Sequence, residues 1–403
     1  MKSTYKKKPK QSTVSASNIA FYLIFASTLL LVLFGTIMVF TSSAASQALV
    51  SKTSLNALTK QCVIVIIGMF LAIFVIRLGY HRLQKMTSII YAVCIGLQLL
   101  LLVPGMRVEI GGNAAWLNFR VLTFQPSESA KIAMILAIAV IISKLFDPAF
   151  YKKYQKNIKF KIGYFVAAVA LILTPILLVV LIAHDFGSAL TMCAIAVVLL
   201  FFWPFSRRTM AIIVGLVGVV AFAIYNYVTT HLEEILSSNR GKRLYYWLNC
   251  SPTPEGNMLD DGCLQSTHGI WAFVGNGITG RGVGDSLESW HLLPERESDY
   301  IFSIVGEETG LFGVFFLLAL FLMYTVGCWL IIIHSKDKFI QISTVGFLVF
   351  IVGQAMINMA VVLKIFPIFG IALPFISAGG SSMLCSMVVS GILILYTTEN
   401  SKN

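Results

Sequence analysis

Long blocks of apolar residues that contain no charge are the feature that most limits how this sequence can fold. Residues 18–41, for example, include no Asp, Glu, Lys or Arg. An uncharged apolar run of about 18 residues or more is long enough to cross a membrane. The chain is 57% hydrophobic and only 12% charged, about half the share of charge found in soluble domains. These features predict an all-α polytopic membrane protein and exclude a soluble globular fold.

The apolar blocks predict about ten transmembrane helices in one membrane domain, residues 17–398. If the blocks around His184 and Asp185 form one broken helix, the count is nine. A basic tail (1–16), predicted to be disordered, precedes this domain, and a short tail (399–403) follows it. The first block is too long for the apolar region of a signal peptide, so we predict a retained span. The ten predicted spans are residues 18–41, 58–77, 87–104, 129–145, 162–183, 187–204, 209–228, 300–333, 341–363 and 372–397.

Basic residues predict the orientation of the chain in the membrane. The net charge is +12, but Lys and Arg lie in short clusters between apolar blocks, which does not favour nucleic-acid binding. If both termini are cytoplasmic, 19 of the 30 Lys and Arg residues fall in cytoplasmic segments, as the positive-inside rule requires. Two long segments then face outward. Residues 105–128 have β-like alternation that suits an interfacial or re-entrant hairpin, and residues 229–299 form a long loop between spans 7 and 8.

The seven cysteines divide into two groups. Five lie in apolar spans, where Cys behaves as a small hydrophobic residue. Cys250 and Cys263 lie in the long outer loop, where a disulfide can persist. We predict that these two form a disulfide, and two free thiols are the alternative. Because no His lies at ligand spacing, the pattern does not favour zinc.

Ionisable residues inside membrane spans are costly and therefore mark candidate sites. Glu128 and Lys131 share one face of the fourth span and can neutralise each other, either beside a substrate or as a purely structural ion pair. His184 and Asp185 interrupt two apolar blocks, and Asp185 is a candidate for ligand binding, helix capping or catalysis.

The long outer loop carries the densest polar chemistry of the chain. Arg240, Lys242 and Arg243 precede a glycine-rich stretch, residues 275–284, which lacks the strand and the Gly-Lys-Ser/Thr of a nucleotide-binding loop. These glycines instead predict a close approach of the backbone to a bulky ligand or a helix. Asp299 follows at the start of the eighth span. A carboxylate there is either catalytic or a helix N-terminal residue favoured by the dipole.

Four motifs in this order resemble the SEDS family (shape, elongation, division and sporulation) of bacterial peptidoglycan glycosyltransferases. The first is Trp116 followed by Gln125, Pro126, Ser127, Glu128 and Lys131. The others are GRGVGDS followed by LLPE, then SDYIFS followed by GEETG, and LPFISAGGSS at residues 373–382. Residues 121–136 are more similar to the division members than to the elongation members. The chain departs from the family pattern at Ala183-His184, at Lys364, at Ala378 and in Arg296-Glu297-Ser298.

The resemblance implies that the protein polymerises lipid II into glycan strands at the outer face of the cytoplasmic membrane during cell division. It implies Asp299 as the general base and a class B penicillin-binding transpeptidase, with other divisome membrane proteins, as partners. A divalent cation such as Mg²⁺ is a further candidate component. A lipid II flippase and a non-catalytic divisome scaffold are the alternative functions. The expected substrate-binding residues are Trp116, Gln125, Glu128, Lys131, Asp185, Arg240, Lys242, Arg243, Ser377 and Ser381.

Overall fold

The structure, a computed structural model, describes residues 16–49, 55–110, 113–119, 123–203, 247, 261–290 and 293–400. Within these ranges, eight helices are long and apolar enough to cross a membrane, and a shorter apolar helix lies at the predicted sixth span. The prediction of an all-α polytopic membrane protein is therefore confirmed. The predicted seventh span, 209–228, and much of the loop 229–299 lie outside the described residues, so the total of ten spans stays a prediction.

The described residues contain twelve α-helices and three short strands. The helices are α1 (Ala16–Leu49), α2 (Leu55–Leu78), α3 (Tyr80–Leu99), α4 (Pro126–Lys144), α5 (Pro148–Lys156), α6 (Ile158–Leu178), α7 (Phe186–Leu200), α8 (Asp261–Val274), α9 (Ile301–His334), α10 (Lys338–Leu348), α11 (Gln354–Val362) and α12 (Gly380–Asn400). A π-helical turn, Val179–Ala183, extends α6, and a second, Val349–Gly353, joins α10 to α11 in one span. The strands are β1 (Arg107–Ile110), β2 (Asn113–Asn118) and β3 (Thr123–Phe124).

Two spans, α4 and α12, form the buried centre of the bundle, whereas α2, α3 and α6 are the most exposed. Small residues let neighbouring spans approach closely. A Cβ on Gly391 of α12 would lie 2.9 Å from the backbone of Ala72 in α2, and a Cβ on Gly327 of α9 would lie 2.7 Å from the Ile24 side chain of α1. The large apolar side chains exposed on α2, α3 and α6 are therefore available to lipid.

The predicted hairpin between the third and fourth spans is a three-stranded antiparallel meander, β1-β2-β3. Val108 pairs with Trp116, and Leu117 pairs with Phe124. Leu117 is fully buried in a small cluster with Leu101 and Ala183. The meander thus covers the end of α6 and leads directly into α4.

The glycine loop, defined here as residues 275–284, is joined to a break in α9. The break lies at Gly310, whose backbone is non-helical (φ 61°, ψ −161°). In an uninterrupted helix, the two carbonyls before this break would bond to the two N–H groups after it. All four groups bond to the glycine loop. The bonds are Arg281 N–H to Glu307 O (2.9 Å), Gly282 N–H to Glu308 O (3.0 Å), Leu311 N–H to Gly277 O (3.3 Å) and Phe312 N–H to Ile278 O (3.1 Å).

The sequence left open whether the glycines approach a bulky ligand or a helix. In the structure they approach a helix, α9. A Cβ on Gly280 would lie 2.4 Å from the Glu308 carbonyl oxygen, so only glycine fits at the crossing. The Glu307 carboxylate accepts hydrogen bonds from the Leu287 N–H (2.8 Å) and from the Ser286 hydroxyl (2.5 Å). Glu307 therefore fastens the segment just after the glycine loop to α9.

Replacing Gly280 by Ala should destabilise the protein more than replacing Gly284 by Ala. Both residues have positive φ angles (73° and 86°), so both variants incur backbone strain, but an added Cβ at Gly284 meets nothing within 4 Å. The difference isolates the crossing with α9, and we expect about 1–3 kcal/mol for forced overpacking. Thermal unfolding of the purified variants in detergent measures it. Equal losses for the two variants would contradict the tight crossing.

Candidate active site

A cavity of about 170 Å³ lies where the β-meander, the first turns of α4 and α7, the start of α9 and a coil segment meet. We call this coil segment, residues 363–379, the strap, since it links α11 to α12. The cavity brings together most of the residues that the sequence selected. Those in its lining are Trp116, Gln125, Glu128, Lys131, Asp185 and Asp299.

Asp299 lies two residues before the start of α9 and one residue before its N-cap, Tyr300. The cap residue of this helix is therefore the next one along the chain, and Asp299 itself lines the cavity. Its carboxylate faces the strap at Gly370, where an added Cβ would lie 3.3 Å from Asp299 Oδ2. Gly370 has a positive φ of 70°, which glycine adopts without strain. The strap therefore passes close to this carboxylate and leaves room beside it.

Asp185 is a helix cap and also the centre of a polar network. The chain leaves the π turn at His184, which is left-handed (φ 55°), and Asp185 then caps α7. Its carboxylate accepts from the Ser188 N–H (3.0 Å), the Ser188 hydroxyl (2.6 Å) and Gln125 Nε2 (2.7 Å). These bonds fix Gln125 at the entrance to α4. Among the roles left open by the sequence, the structure thus shows capping, at a position that also lines the cavity.

Glu128 and Lys131 form the ion pair that their spacing predicts. Lys131 Nζ lies 2.7 Å from Glu128 Oε1, with both side chains buried. The same ammonium group donates to Gln354 Oε1 (2.7 Å) and lies 4.8 Å from the centre of the Phe350 ring. Within the part of the chain that the structure describes, Glu128 Oε2 has no hydrogen-bond partner. The pair therefore occupies one oxygen of the Glu128 carboxylate, and both residues belong to the cavity lining.

The two serines predicted to bind substrate serve the backbone around the cavity and are not in its lining. Ser377 donates to the Ser298 carbonyl (2.6 Å) and accepts from the Leu373 N–H (2.7 Å). Ser381 accepts from the Gln125 N–H (2.8 Å). These hydroxyls join the strap and α12 to segments that carry cavity residues, and direct contacts of Ser377 and Ser381 with substrate stay predictions.

Arg240, Lys242, Arg243 and Cys250 lie outside the described residues, so their predicted roles stay predictions. Cys263 is disulfide-bonded, whereas the five cysteines of the spans are free thiols. The bond at Cys263 agrees with the disulfide expected in this loop, and the pairing with Cys250 remains the prediction.

Acidic groups outnumber basic ones in the described lining of the cavity. Glu128, Asp185, Glu295 and Asp299 provide four carboxylates, and Lys131 is the single Lys or Arg. Arg296 is next to this lining but turns away from it, since its guanidinium donates to the carbonyls of Ser42 and Leu293. Burial lowers the pKa of the Arg296 guanidinium, and Glu297 and Glu295 oppose this change. An anionic ligand therefore needs cations beyond those described here.

Comparison with known proteins identifies the family. The family model for the cell cycle proteins FtsW, RodA and SpoVE matches residues 21–402. The chain belongs to this family. A probable peptidoglycan glycosyltransferase FtsW of Geobacter metallireducens is 32% identical over 91% of both chains. Stage V sporulation protein E of Bacillus subtilis is 29% identical over 91% of this chain and 95% of its own.

Solved structures share the fold of this FtsW/RodA/SpoVE family member. A chain from a peptidoglycan synthase complex matches with a TM-score of 0.69 and 24% identity, covering 94% of this chain and 98% of its own. The rod shape determining protein RodA of Thermus thermophilus matches with a TM-score of 0.64 and 21% identity, covering 95% and 98%. The resemblance found in the sequence motifs is therefore confirmed for the family and for the fold.

Two buried amides of α11 hold the site together and were not selected from the sequence. Asn358 Nδ2 donates to the Asp299 carbonyl (2.8 Å) and to the Ile371 carbonyl of the strap (2.7 Å). One turn earlier, Gln354 Nε2 donates to the Ala372 carbonyl (3.0 Å), while its Oε1 receives the Lys131 ammonium. These amides thus set the strap at a fixed distance from Asp299 and from Lys131. The sequence did carry a signal for them, since two amide side chains lie four residues apart in an otherwise apolar span.

Replacing Asn358 by Leu should impair the position of Asp299 while leaving the bundle folded. The substitution keeps the side-chain size but leaves two buried carbonyls unpaired, at about 1–3 kcal/mol each. Because the lost bonds hold the segment that carries Asp299, the predicted general base, we expect the turnover number to fall more than the affinity for substrate. Gln98→Leu in α3 is the matched control, since its buried amide has no hydrogen-bond partner among the described residues. Equal turnover in the two variants would contradict this role for Asn358.

Glu128 and Lys131 should behave as one unit in a double-mutant cycle. Lys131→Met or Glu128→Gln alone breaks a buried pair, and losing one partner of such a pair typically costs about 3–5 kcal/mol. The double variant removes both charges and should therefore lose less stability than the two single changes predict together. Thermal midpoints of the four proteins measure this coupling. Strictly additive losses would show that the two side chains do not depend on each other.

Proposed function

We propose that this membrane protein is a peptidoglycan glycosyltransferase that polymerises lipid II into glycan strands, with Asp299 as the general base. Membership of the family, and the name of the Geobacter relative, support the reaction class. The observation that carries the assignment of the base is the placement of Asp299. Asp299 lies just before the first turn of the membrane span α9 and lines the cavity described above.

The chemistry needs one positioned carboxylate. The 4-hydroxyl of an acceptor sugar attacks the anomeric carbon of a donor sugar, the bond to pyrophosphate breaks, and the anomeric configuration inverts. A positioned base takes the hydroxyl proton as the new bond forms, and Asp299 is the group we assign to it. Pyrophosphate is already a good leaving group, so the acid that protonates the leaving group in ordinary glycosidases is not needed.

Neutralising the leaving pyrophosphate is a separate requirement. Lys131 is paired with Glu128, so we propose that Arg240, Lys242 and Arg243 of the outer loop supply most of the positive charge. Arg suits this role because its fork matches phosphate oxygens. The described residues contain no group of three or more His, Cys, Asp or Glu side chains placed to hold a metal ion. We therefore assign no step to Mg²⁺, whose involvement stays a proposal.

The proposed cellular setting is supported by the distribution of basic residues and by the family of the chain. We propose that both termini face the cytoplasm, that the cavity faces outward and that the protein acts at the division septum. A related fold occurs in a peptidoglycan synthase complex that couples polymerisation to crosslinking. This supports a class B penicillin-binding transpeptidase as the partner, together with other divisome membrane proteins.

Asp299→Asn is the decisive variant for the polymerase function. Asn keeps the size of the side chain but cannot take up a proton, so glycan synthesis should fall by about 10²-fold or more. The measurement is glycan chain formation by purified protein supplied with lipid II, with and without the transpeptidase. Asp285→Asn is the matched control, because Asp285 is an exposed carboxylate of the glycine-loop region outside the cavity lining.

Three outcomes distinguish the alternatives. Losing a base stops polymerisation but need not stop lipid transport, so a flippase would move lipid II equally well with Asn at this position. Near-normal glycan synthesis by Asp299→Asn would remove Asp299 from the mechanism. If wild-type protein makes no glycan even when its partner is present, the polymerase function itself is wrong.

A further inference from the structure

The linker between α4 and α6 carries a dense positive charge that the proposed reaction does not use. This basic linker, residues 144–161, contains six lysines and a single acidic residue, Asp147. The Asp147 carboxylate is engaged as the N-cap of α5, where it accepts from the Ala149 N–H (2.9 Å). The six lysines are Lys144, Lys152, Lys153, Lys156, Lys159 and Lys161.

The linker is too short to leave the membrane surface. Thirteen residues, 145–157, separate the end of α4 from the start of α6, and both helices are membrane spans. The nine residues of α5 extend about 14 Å as a helix. The lysines are therefore kept near the membrane surface, and charge attraction to lipid headgroups acts over about a Debye length, roughly 8–10 Å.

An aromatic cluster gives the linker a fixed shape. Tyr154 is the one buried residue of α5, and its ring packs 6.0 Å from that of Tyr164 in α6. Two lysines lie over rings of this cluster, Lys153 over Phe160 (5.3 Å) and Lys161 over Tyr154 (5.8 Å). The positive charges are thus displayed on a folded surface rather than on a loose coil.

Exposed apolar side chains alternate with the lysines. Phe146 is 45% exposed, Ile158 is 66% exposed and Ile162 is 57% exposed. Such a mixture suits the boundary between headgroups and acyl chains, where an amphipathic segment buries its apolar side chains and its basic residues meet anionic lipid. A soluble acidic protein would satisfy the lysines, but it would not explain the exposed Phe146 or the position of Ile158 and Ile162 at the start of a membrane span.

We propose that the basic linker binds anionic phospholipid headgroups, so that a negatively charged phospholipid is a structural ligand of the folded protein. Basic residues near an anionic membrane surface each favour binding by about fivefold. The proposal concerns lipid held by the mature protein, and it is independent of Asp299 and of the glycosyltransferase reaction. It applies to whichever leaflet the linker faces, which the basic residues predict to be the cytoplasmic one.

The test uses the full chain in liposomes that contain spin-labelled phosphatidylglycerol or spin-labelled phosphatidylcholine. Electron paramagnetic resonance measures the fraction of each label that the protein immobilises, and hence the relative association of the two lipids. The test variant carries Lys152→Gln, Lys153→Gln, Lys156→Gln and Lys159→Gln, all at exposed positions. The control carries Lys6→Gln, Lys7→Gln, Lys8→Gln and Lys10→Gln, an equal change of charge in the basic tail.

We expect wild type and the tail control to prefer phosphatidylglycerol by about threefold or more, and the linker variant to show a ratio near one. High salt should reduce the wild-type preference, since screening weakens surface charge interactions. Equal thermal midpoints in phosphatidylcholine confirm that the linker variant is folded. A linker variant that keeps the wild-type ratio, or a tail control that loses it, overturns the proposal. Wild-type protein that shows no preference for phosphatidylglycerol also overturns the proposal. This outcome would be expected if the linker lysines bound an acidic protein instead.

Discussion

Every backbone N–H and C=O group placed inside a bilayer must find a partner within the protein, and this requirement shapes the whole site. The cavity is built where membrane helices are interrupted, and an interruption frees polar groups that lipid cannot satisfy. Each interruption here has its own solution. Asp185 caps the helix that follows the break at His184. The glycine loop supplies the partners at Gly310, and buried side chains bond to the carbonyls of the strap.

The same bonds that satisfy the breaks also position Asp299 at the cavity. Asn358 satisfies a strap carbonyl and the Asp299 carbonyl with one amide. Ser377 likewise joins the strap to the residue that precedes Asp299. At these positions, stability is therefore not separable from the placement of Asp299, which contributes its carboxylate to the cavity and its carbonyl to the scaffold. Only substitutions that keep the carbonyl bonds report on the chemistry of that carboxylate.

The sequence predicted the features that depend on local pattern. Apolar run length placed nine of the predicted spans on described helices, and β-like alternation near Trp116 anticipated the strands of the meander. The spacing of Glu128 and Lys131 predicted their contact, because residues three apart on a helix are neighbours. These successes share one cause, since each depends on residues close together in the chain.

What the sequence left open depends on contacts between distant segments. Gln354 and Asn358 carry no charge, so the rule that singles out ionisable residues in membranes did not select them. The glycine loop gave no sign of whether its partner was a ligand or a helix, because the break at Gly310 is visible only in the folded chain. Ser377 and Ser381 were expected at the substrate, yet their hydroxyls are directed to backbone groups that only the fold brings near.

The π turn at Val349–Gly353 sets the angle between the two halves of the span formed by α10 and α11. A π turn holds one residue more than the α-helical turn it replaces, and each added residue rotates the rest of the helix by about 100°. The two halves of the span therefore follow different helical phases. Deleting one residue from the turn would leave the apolar length almost unchanged but swing Gln354 and Asn358 toward another side of the bundle. The direction in which Gln354 and Asn358 leave the helix thus depends on the number of residues in the π turn rather than on the identity of any side chain.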